Sequence, residues 1–283
     1  NYATPSDTTV TNGVITKRQL MATVGHHTKI YGQANPSFTV SITGFVNGEN
    51  TSTASGYVAP TASTAATTTT DAGSYEITMT GGSATNYSFN TSDTGTLTIN
   101  KAILIATVGD HSRTYGAANP EFPVSVLGFV NGETASTADS YVAPTASTSA
   151  TTSTAVGTAT ITISGGSATN YSFNTSDTGT LTINKATYDM SAISFTDKTV
   201  TYNGTEQSLP ISGTLPSGVT VSYTDNAKTD AGTYTATAHF SGDATNYEAI
   251  ADKPALLIIE PITMTGSVTL TGNWAFGETL TAV

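Results

Sequence analysis

One stretch of 84 residues occurs twice in succession in this chain, and that repetition constrains the fold more than any single motif. Tyr31-Gly32 returns as Tyr115-Gly116 (115 − 31 = 84), and Ala34-Asn35-Pro36 returns as Ala118-Asn119-Pro120. Gly44-Phe45-Val46-Asn47-Gly48-Glu49 returns as Gly128 to Glu133, and Tyr57 to Thr64 as Tyr141 to Thr148. Gly81 to Ala102 returns without a change as Gly165 to Ala186. A repeat of this length is one structural unit used twice in series. Repeat A occupies residues 17–100 and repeat B residues 101–184.

A third, more divergent module spans 185–260. Tyr202-Asn203-Gly204 stands where Tyr-Gly stood, Asp230-Ala231-Gly232-Thr233-Tyr234 matches Asp71 to Tyr75, and Ala244 to Tyr247 matches Ala84 to Tyr87. Val14-Ile15-Thr16-Lys17 echoes Thr98 to Lys101. Residues 1–16 are therefore expected to be the closing strand of a preceding module, and 261–283 the start of a further one. The opening Asn1-Tyr2-Ala3 is no signal peptide, so the expectation is an internal piece of a longer array.

Thr, Ser, Asn and Gly fill the polar positions, and only 10% of residues are charged. β-Branched Thr suits a pleated, half-buried surface, and no long stretch has helical periodicity. In repeat B, strands are expected over 103–108, 122–126, 158–163, from Tyr171 and over 179–183. Pro123 points to an edge or entry position. Tyr115-Gly116, Asn119-Pro120, Asn131-Gly132 and Gly165-Gly166 read as turns. Gly132 to Ala150 reads as either a short helix or a long loop. The fold class is all-β: tandem small β-sandwich (Ig-like) or β-grasp-like modules. Leu97 to Asn100 runs through Lys101 into Ala102 to Ile105 without Gly or Pro. Such a join has no flexible linker. An elongated rod follows, each module adding about 30–40 Å at roughly 3.3 Å per strand residue.

The net charge of −11 removes the basic footprint that nucleic acid needs and disfavours anionic membrane surfaces. The chain has no cysteine, which excludes disulfides, thiolate metal sites and thiol catalysis. No apolar run is long enough for a transmembrane helix. His26, His27, His111 and His239 lack metal-ligand spacing, and His27 and His111 read as loop residues bonded to backbone. Asp93, Asp177, Asp71 and Glu49 are the candidates for calcium, but without the alternating acids of a calcium loop. A turn Asp capping its own loop is the simpler reading. The acids are too scattered to form a glycosidase pair. The repeated tyrosines read as core plugs and turn anchors. Lys101 and Lys185, at module junctions, are poor candidates for buried Lys–Asn crosslinks and read as solvated. No catalytic, cofactor-binding or metal residue is assigned, and no cofactor is expected.

Lys-Ala, then Tyr-Gly-x-Ala-Asn-Pro, Gly-Phe-Val-Asn-Gly-Glu, Asn-Tyr-Ser-Phe and a closing Leu-Thr-Ile-Asn-Lys resemble the MBG (mostly beta, glycine-rich) repeats of long bacterial surface proteins. The third module looks like a related repeat of Gram-positive surface proteins. Gly272 to Leu280 looks like the start of a bacterial Ig-like repeat. The resemblance implies a non-catalytic structural stalk on the bacterial cell surface, attached to the cell wall through regions outside this chain. Its partners would be neighbouring repeats. The alternative is an adhesin module that binds a glycan or a host or matrix protein through the loops at 50–70 and 134–154.

Overall fold

The structure, a computed structural model, describes residues 13–266. The expected strand at 1–12 and the expected Ig-like start at 267–283 lie outside the described residues. Within them there is no helix, and 18 strands account for the regular structure. The β-grasp alternative, which needs a helix held in its sheet, therefore falls away and all-β sandwich modules remain.

Module A has seven strands: β1 (Arg18–Val24), β2 (His27–Ile30), β3 (Val40–Thr43), β4 (Val58–Ser63), β5 (Gly73–Ser83), β6 (Tyr87–Asn90) and β7 (Gly95–Asn100). They form two sheets, ordered β3-β1-β6 and β2-β7-β5-β4. In each sheet one pair is parallel, β1 with β6 and β2 with β7. Alternation decides which side faces inward. Leu20, Ala22 and Val24 of β1 are buried while their neighbours are exposed, and Leu97 and Ile99 do the same in β7. Each fully buried Leu or Ile contributes about 1.5–3 kcal/mol. Ala22 and Val24 meet Ile77, Met79, Leu97 and Ile99 in one core between the sheets.

Module B repeats these strands as β8 (Ala102–Val108), β9 (His111–Thr114), β10 (Val124–Leu127), β11 (Val142–Ser147), β12 (Gly157–Ser167), β13 (Tyr171–Asn174) and β14 (Thr178–Asn184). Their orders are again β10-β8-β13 and β11-β12-β14-β9. Module C keeps only the four-stranded sheet, with β15 (Lys198–Thr201), β16 (Thr220–Thr224), β17 (Gly232–Ser241) and β18 (Lys253–Glu260) ordered β15-β18-β17-β16. Where A and B have a second sheet, C has isolated bridges, Ala186 with Tyr247 and Ser194 with Ser212.

Three expectations need correction. Gly165-Gly166 does not end a strand; β12 runs through both, and Pro144 of β11 pairs with Gly165. Gly166 is required because the ring of Phe173 lies against it, where an added Cβ would stand 2.9 Å away, and Gly165 because its φ is +75°. His27 and His111 are not loop residues. They open β2 and β9, and pack edge-on against Phe38 and Phe122 at 5.2 and 5.3 Å. The 132–150 segment is no helix. It holds one closed turn, with Ala138 N donating to Thr134 O, and then β11.

Packing divides the described chain into two compact units. The first takes residues up to 111 with 121–149 and 160–181; the second takes 112–120, 150–159 and those from 182 onward. The meeting of modules A and B falls inside the first unit, and that of B and C inside the second.

Candidate functional site: the junction between modules

The Tyr-Gly turn lies beside the chain's exit from each module. Tyr31 N donates to Asn100 O, Tyr115 N to Asn184 O and Tyr202 N to Glu260 O, each 2.8 Å. The entry side is equally regular. Arg18, Ala102 and Ala186 donate their N–H groups to the carbonyls of Asn86, Asn170 and Asn246, at 2.9–3.0 Å. Lys17, Lys101 and Lys185 donate Nζ to Ala84 O, Ala168 O and Ala244 O, at 3.0, 2.8 and 2.7 Å. The junction lysines are thus clips on the loop before Asn-Tyr, which corrects the reading of them as merely solvated.

At the A–B junction these features interlock. The ring of Tyr31 meets that of Tyr171 edge-to-face at 5.6 Å and 81°. Glu133 takes both hydroxyls, Tyr31 on Oε1 at 2.7 Å and Tyr171 on Oε2 at 2.5 Å. Asn170, itself buried, accepts from Ala72 N and donates to Asp71 Oδ1, both at 2.8 Å. Thr68 O receives Gly32 N and Asn131 Nδ2, both at 3.1 Å. Gly32 has φ of +87°, and a Cβ there would come within 2.6 Å of Val130. Burial, reinforced by the bond to Glu133, pushes the Tyr171 hydroxyl up to about 12 and raises that of Tyr31. Among the described residues no buried side-chain nitrogen or oxygen lacks a hydrogen bond, so this polar junction carries no unsatisfied group of the costly kind.

The B–C junction uses fewer parts. Tyr115 meets Tyr247 edge-to-face at 5.7 Å, and Val156 N donates to Asn246 Oδ1 at 3.0 Å. Ala155 stands where Asp71 stood, and Asn246 Nδ2 turns to Asp243 at 2.7 Å within module C. That bond is the main reason the Asp243 carboxyl sits below its usual range. Tyr247 stacks on Tyr188 at 4.0 Å, in place of a carboxylate.

The other residues singled out in the sequence fall elsewhere. Asp93 Oδ2 accepts from Val24 N at 3.1 Å, and Asp177 Oδ2 from Val108 N at 3.0 Å. These acids cap the end of the first strand of their module across 69 residues, which corrects the local-turn reading. Asp71 serves the A–B junction, and Glu49 accepts the Tyr87 hydroxyl. Among the described residues no three His, Cys, Asp or Glu side chains gather where they could share a metal ion. Sequence reasoning missed Lys29, which is buried. Its Nζ donates to Gln33 O and Thr67 O at 3.1 and 2.6 Å, and burial holds its pKa below the usual range. Arg113 does the same work in module B, bonding Asn119 Oδ1, Thr114 O and Thr151 O. An arginine cannot form a Lys–Asn crosslink, so what both modules share at this position is a donor that ties down the following loop.

One group in module C has the residue types of a nucleophilic relay. Thr224 Oγ1 lies 2.9 Å from His239 Nε2, and His239 Nδ1 lies 2.7 Å from Asp252 Oδ2. Thr224 and His239 are diagonal neighbours on the paired strands β16 and β17, and both His239 and Asp252 are substantially exposed. An acyl-transfer site encloses its nucleophile beside donors for the oxyanion. An open sheet surface fits a cross-strand polar network.

Residues 20–98 and 104–182, more than half of the chain, match the family model described as MBG domain (YGX type). No curated protein sequence matches the chain. Among solved structures, Drosophila N-cadherin EC1-4 is similar at 8% identity and a TM-score of 0.19, and Sidekick-1 immunoglobulin domains 1–4 at 10% and 0.18. In both cases the overlap covers 67% of this chain and 58% of the other. The chain thus spans less than two thirds of these chains' length.

Proposed function

Since the chain belongs to the YGX-type MBG domain family, we propose that it is a non-catalytic structural stalk segment of a repetitive bacterial cell-surface protein, whose modules hold a distal adhesive part away from the surface. The observation that carries this reading is the A–B junction. A single residue, Lys101, separates β7 from β8, and the two modules share a buried aromatic contact and a hydrogen-bonded polar set around it. A binding module on a flexible tether has no use for such a junction, whereas a spacer does, because stiffness at each joint sets its reach.

Within 50–70 and 134–154, the adhesive surface in the alternative reading, β4 and β11 pair with β5 and β12, and the loops that flank them bond in part to themselves. Asn50 caps Ser52, Thr67 bonds Thr69 and Thr70, and Thr134 bonds Ser136 and Thr137. Thr67 and Thr151 also present their carbonyls to Lys29 and Arg113. These are supports for the fold first, which favours the spacer over a loop-borne glycan or matrix-protein site. Small-angle scattering of the purified chain tests the reading. An extended particle, longer with each module added, is expected; a compact globule contradicts it. Glycan and matrix-protein arrays with the same chain should stay silent.

A further inference from the structure

The entry face of module A carries, 84 residues earlier, the whole set that receives Tyr31 on module B. Val46, Asn47, Glu49, Asn86 and Tyr87 correspond to Val130, Asn131, Glu133, Asn170 and Tyr171. Together with Ile15 to Arg18 they line an open cleft of about 560 Å³. The pairing inside the set is already made, since Tyr87 donates to Glu49 Oε2 and Val46 N donates to the Tyr87 hydroxyl, as in module B. The outward-facing half of the set is open. Among the described residues Glu49 Oε1 receives no donor, although Glu133 Oε1 receives Tyr31, and the Asn86 side chain makes no hydrogen bond, although that of Asn170 makes two.

The apolar parts differ in the same way. Leu104, Ala138, Ala168 and Tyr171 belong to the same buried cluster as Tyr31 and the core of module A. Their counterparts Leu20, Ala54, Ala84 and Tyr87 form a separate cluster at the end of module A. Ile15 is 99% exposed, while Ile99, its counterpart in the closing strand, is 2% exposed. The tyrosine hydroxyls agree. Desolvation is the main cause that raises Tyr171, whereas for Tyr87 the main cause is the bond to Glu49.

We infer that the cleft around Tyr87 and Glu49 is a socket for the Tyr-Gly turn of another MBG-type module joined directly ahead of Lys17, seated as Tyr31-Gly32 is seated on module B. The occupant's chemistry follows from the A–B junction. It presents a tyrosine hydroxyl to Glu49 Oε1, a glycine that lets its backbone approach Val46, a backbone N–H and carboxylate for Asn86, and a carbonyl for Asn47. Ile15 then becomes a buried residue of that module's closing strand. This inference rests on the stalk reading and names the partner at one of the stalk's faces.

The test duplicates repeat A within the full chain, so that residues 1–100 are followed directly by 17–283. Two double-mutant cycles are then compared by hydrogen exchange and thermal unfolding. One pairs Tyr31→Phe of the added copy with Glu49→Gln of the acceptor copy, across the new junction. The other pairs the acceptor copy's Tyr31→Phe with Glu133→Gln, across the native one. The expected result is the same non-additive shift in both. Additive shifts at the new junction, beside non-additive ones at the native junction, overturn the socket. Scattering from the duplicated chain separates this from the stalk reading, because a longer particle with additive cycles leaves the stalk standing without the socket. Sedimentation of the unduplicated chain supplies the remaining arm. A monomer at all concentrations supports an in-line occupant; self-association abolished by Tyr202→Ala would assign the socket to a second copy and overturn the assignment made here.

Discussion

The two junctions within this chain are built to one plan, and the chain fills it in to different degrees. In the first, Tyr31 is 3% exposed and its hydroxyl ends on Glu133; in the second, Tyr115 is half-buried and its ring meets that of Tyr247 edge-to-face. Tyr202, the third turn tyrosine, is 36% exposed. What separates the first two is a few residues on the receiving side. Glu133, Asn131 and Val130 are present in module B, and the donor side of module A adds Asp71, which is Ala155 in module B. The bond donated by a backbone N–H to an Asn side-chain oxygen survives at both, from Ala72 to Asn170 and from Val156 to Asn246. The plan therefore has a constant part, which sets how the strand enters the next module. It also has a variable part, which sets how tightly the turn is held.

The sharpest way to break this comparison is to remove the three turn tyrosines in turn. Tyr31→Ala empties a buried aromatic site and strips Glu133 of one donor, so the loss should be about 3–5 kcal/mol. Tyr115→Ala should lose about 1–2 kcal/mol, for a half-buried ring with a single aromatic contact. Tyr202→Ala should change stability by about 0.5 kcal/mol or less, as exposed positions do. Denaturant melts with hydrogen exchange at the Ala72 and Val156 amides read each junction separately. Equal losses for Tyr31 and Tyr115 would remove the distinction between tight and loose junctions.

The glycines beside them give a second contrast. Gly32 and Gly116 have nearly the same φ, +87° and +82°, so an alanine at either is strained by about 1–2 kcal/mol. Only Gly32 is also pressed against a neighbouring module. A Cβ at Gly116 meets nothing within 4 Å. Gly32→Ala should therefore cost a further 1–3 kcal/mol or so for overpacking against Val130. Gly32→Ala combined with Val130→Ala should recover part of that excess, and a pair of alanine variants with equal effects would show that the backbone approach at Gly32 is unimportant.

High pH should open the first junction. Tyr171 is raised to about 12 and Tyr31 is raised as well, chiefly by burial. A tyrosine whose folded pKa exceeds its unfolded value near 10 stabilises the fold fully below that value. The contribution, on the order of 2 kcal/mol for Tyr171, is lost as pH rises from about 10 through about 12. Tyrosinate absorbance followed alongside Ala72 exchange should show the two events together. In the Glu133→Gln variant the ionisation should move to lower pH, since the carboxylate no longer opposes a second negative charge; no movement would mean that Glu133 does not share its oxygens as described.

Much of this architecture is legible in the sequence, because small modules advertise their turns. Tyr-Gly, Asn-Gly and the apolar run from Ile103 to Val108, closed by Gly109, mark turns and a core strand directly. The strands that escape are edge strands. His111-Ser112-Arg113-Thr114 is polar throughout, and Val142 to Ser147 is small-residued and holds Pro144, so neither shows the apolar period that marks a strand buried on one face. The junction escapes for a different reason. Tyr31 and Glu133 lie 102 residues apart, and modules A and B each hold their own Tyr-Glu pair, Tyr87 with Glu49 and Tyr171 with Glu133. The repeat itself hides which tyrosine from the neighbouring module adds a third member.

The smallest expected effect bears on whether the loose junction can be tightened by its donor side alone. Ala155→Asp restores the carboxylate that Asp71 supplies at the first junction. Its natural partner, Asn246 Nδ2, is already held by Asp243, whose carboxylate also accepts the N–H groups of Thr245 and Asn246. The introduced carboxylate would have to compete with that local cap while adding a negative charge beside it. The gain should therefore be about 0.5 kcal/mol or less, within the range of a neutral surface change. Calorimetric unfolding of the variant beside the parent chain, with exchange at the Val156 amide, measures it. A gain above about 1 kcal/mol, more than a surface ion pair supplies, would mean that Asn246 leaves Asp243 for the neighbouring module. The difference between the junctions would then lie in Ala155 and not, as the geometry indicates, on the receiving face of module C.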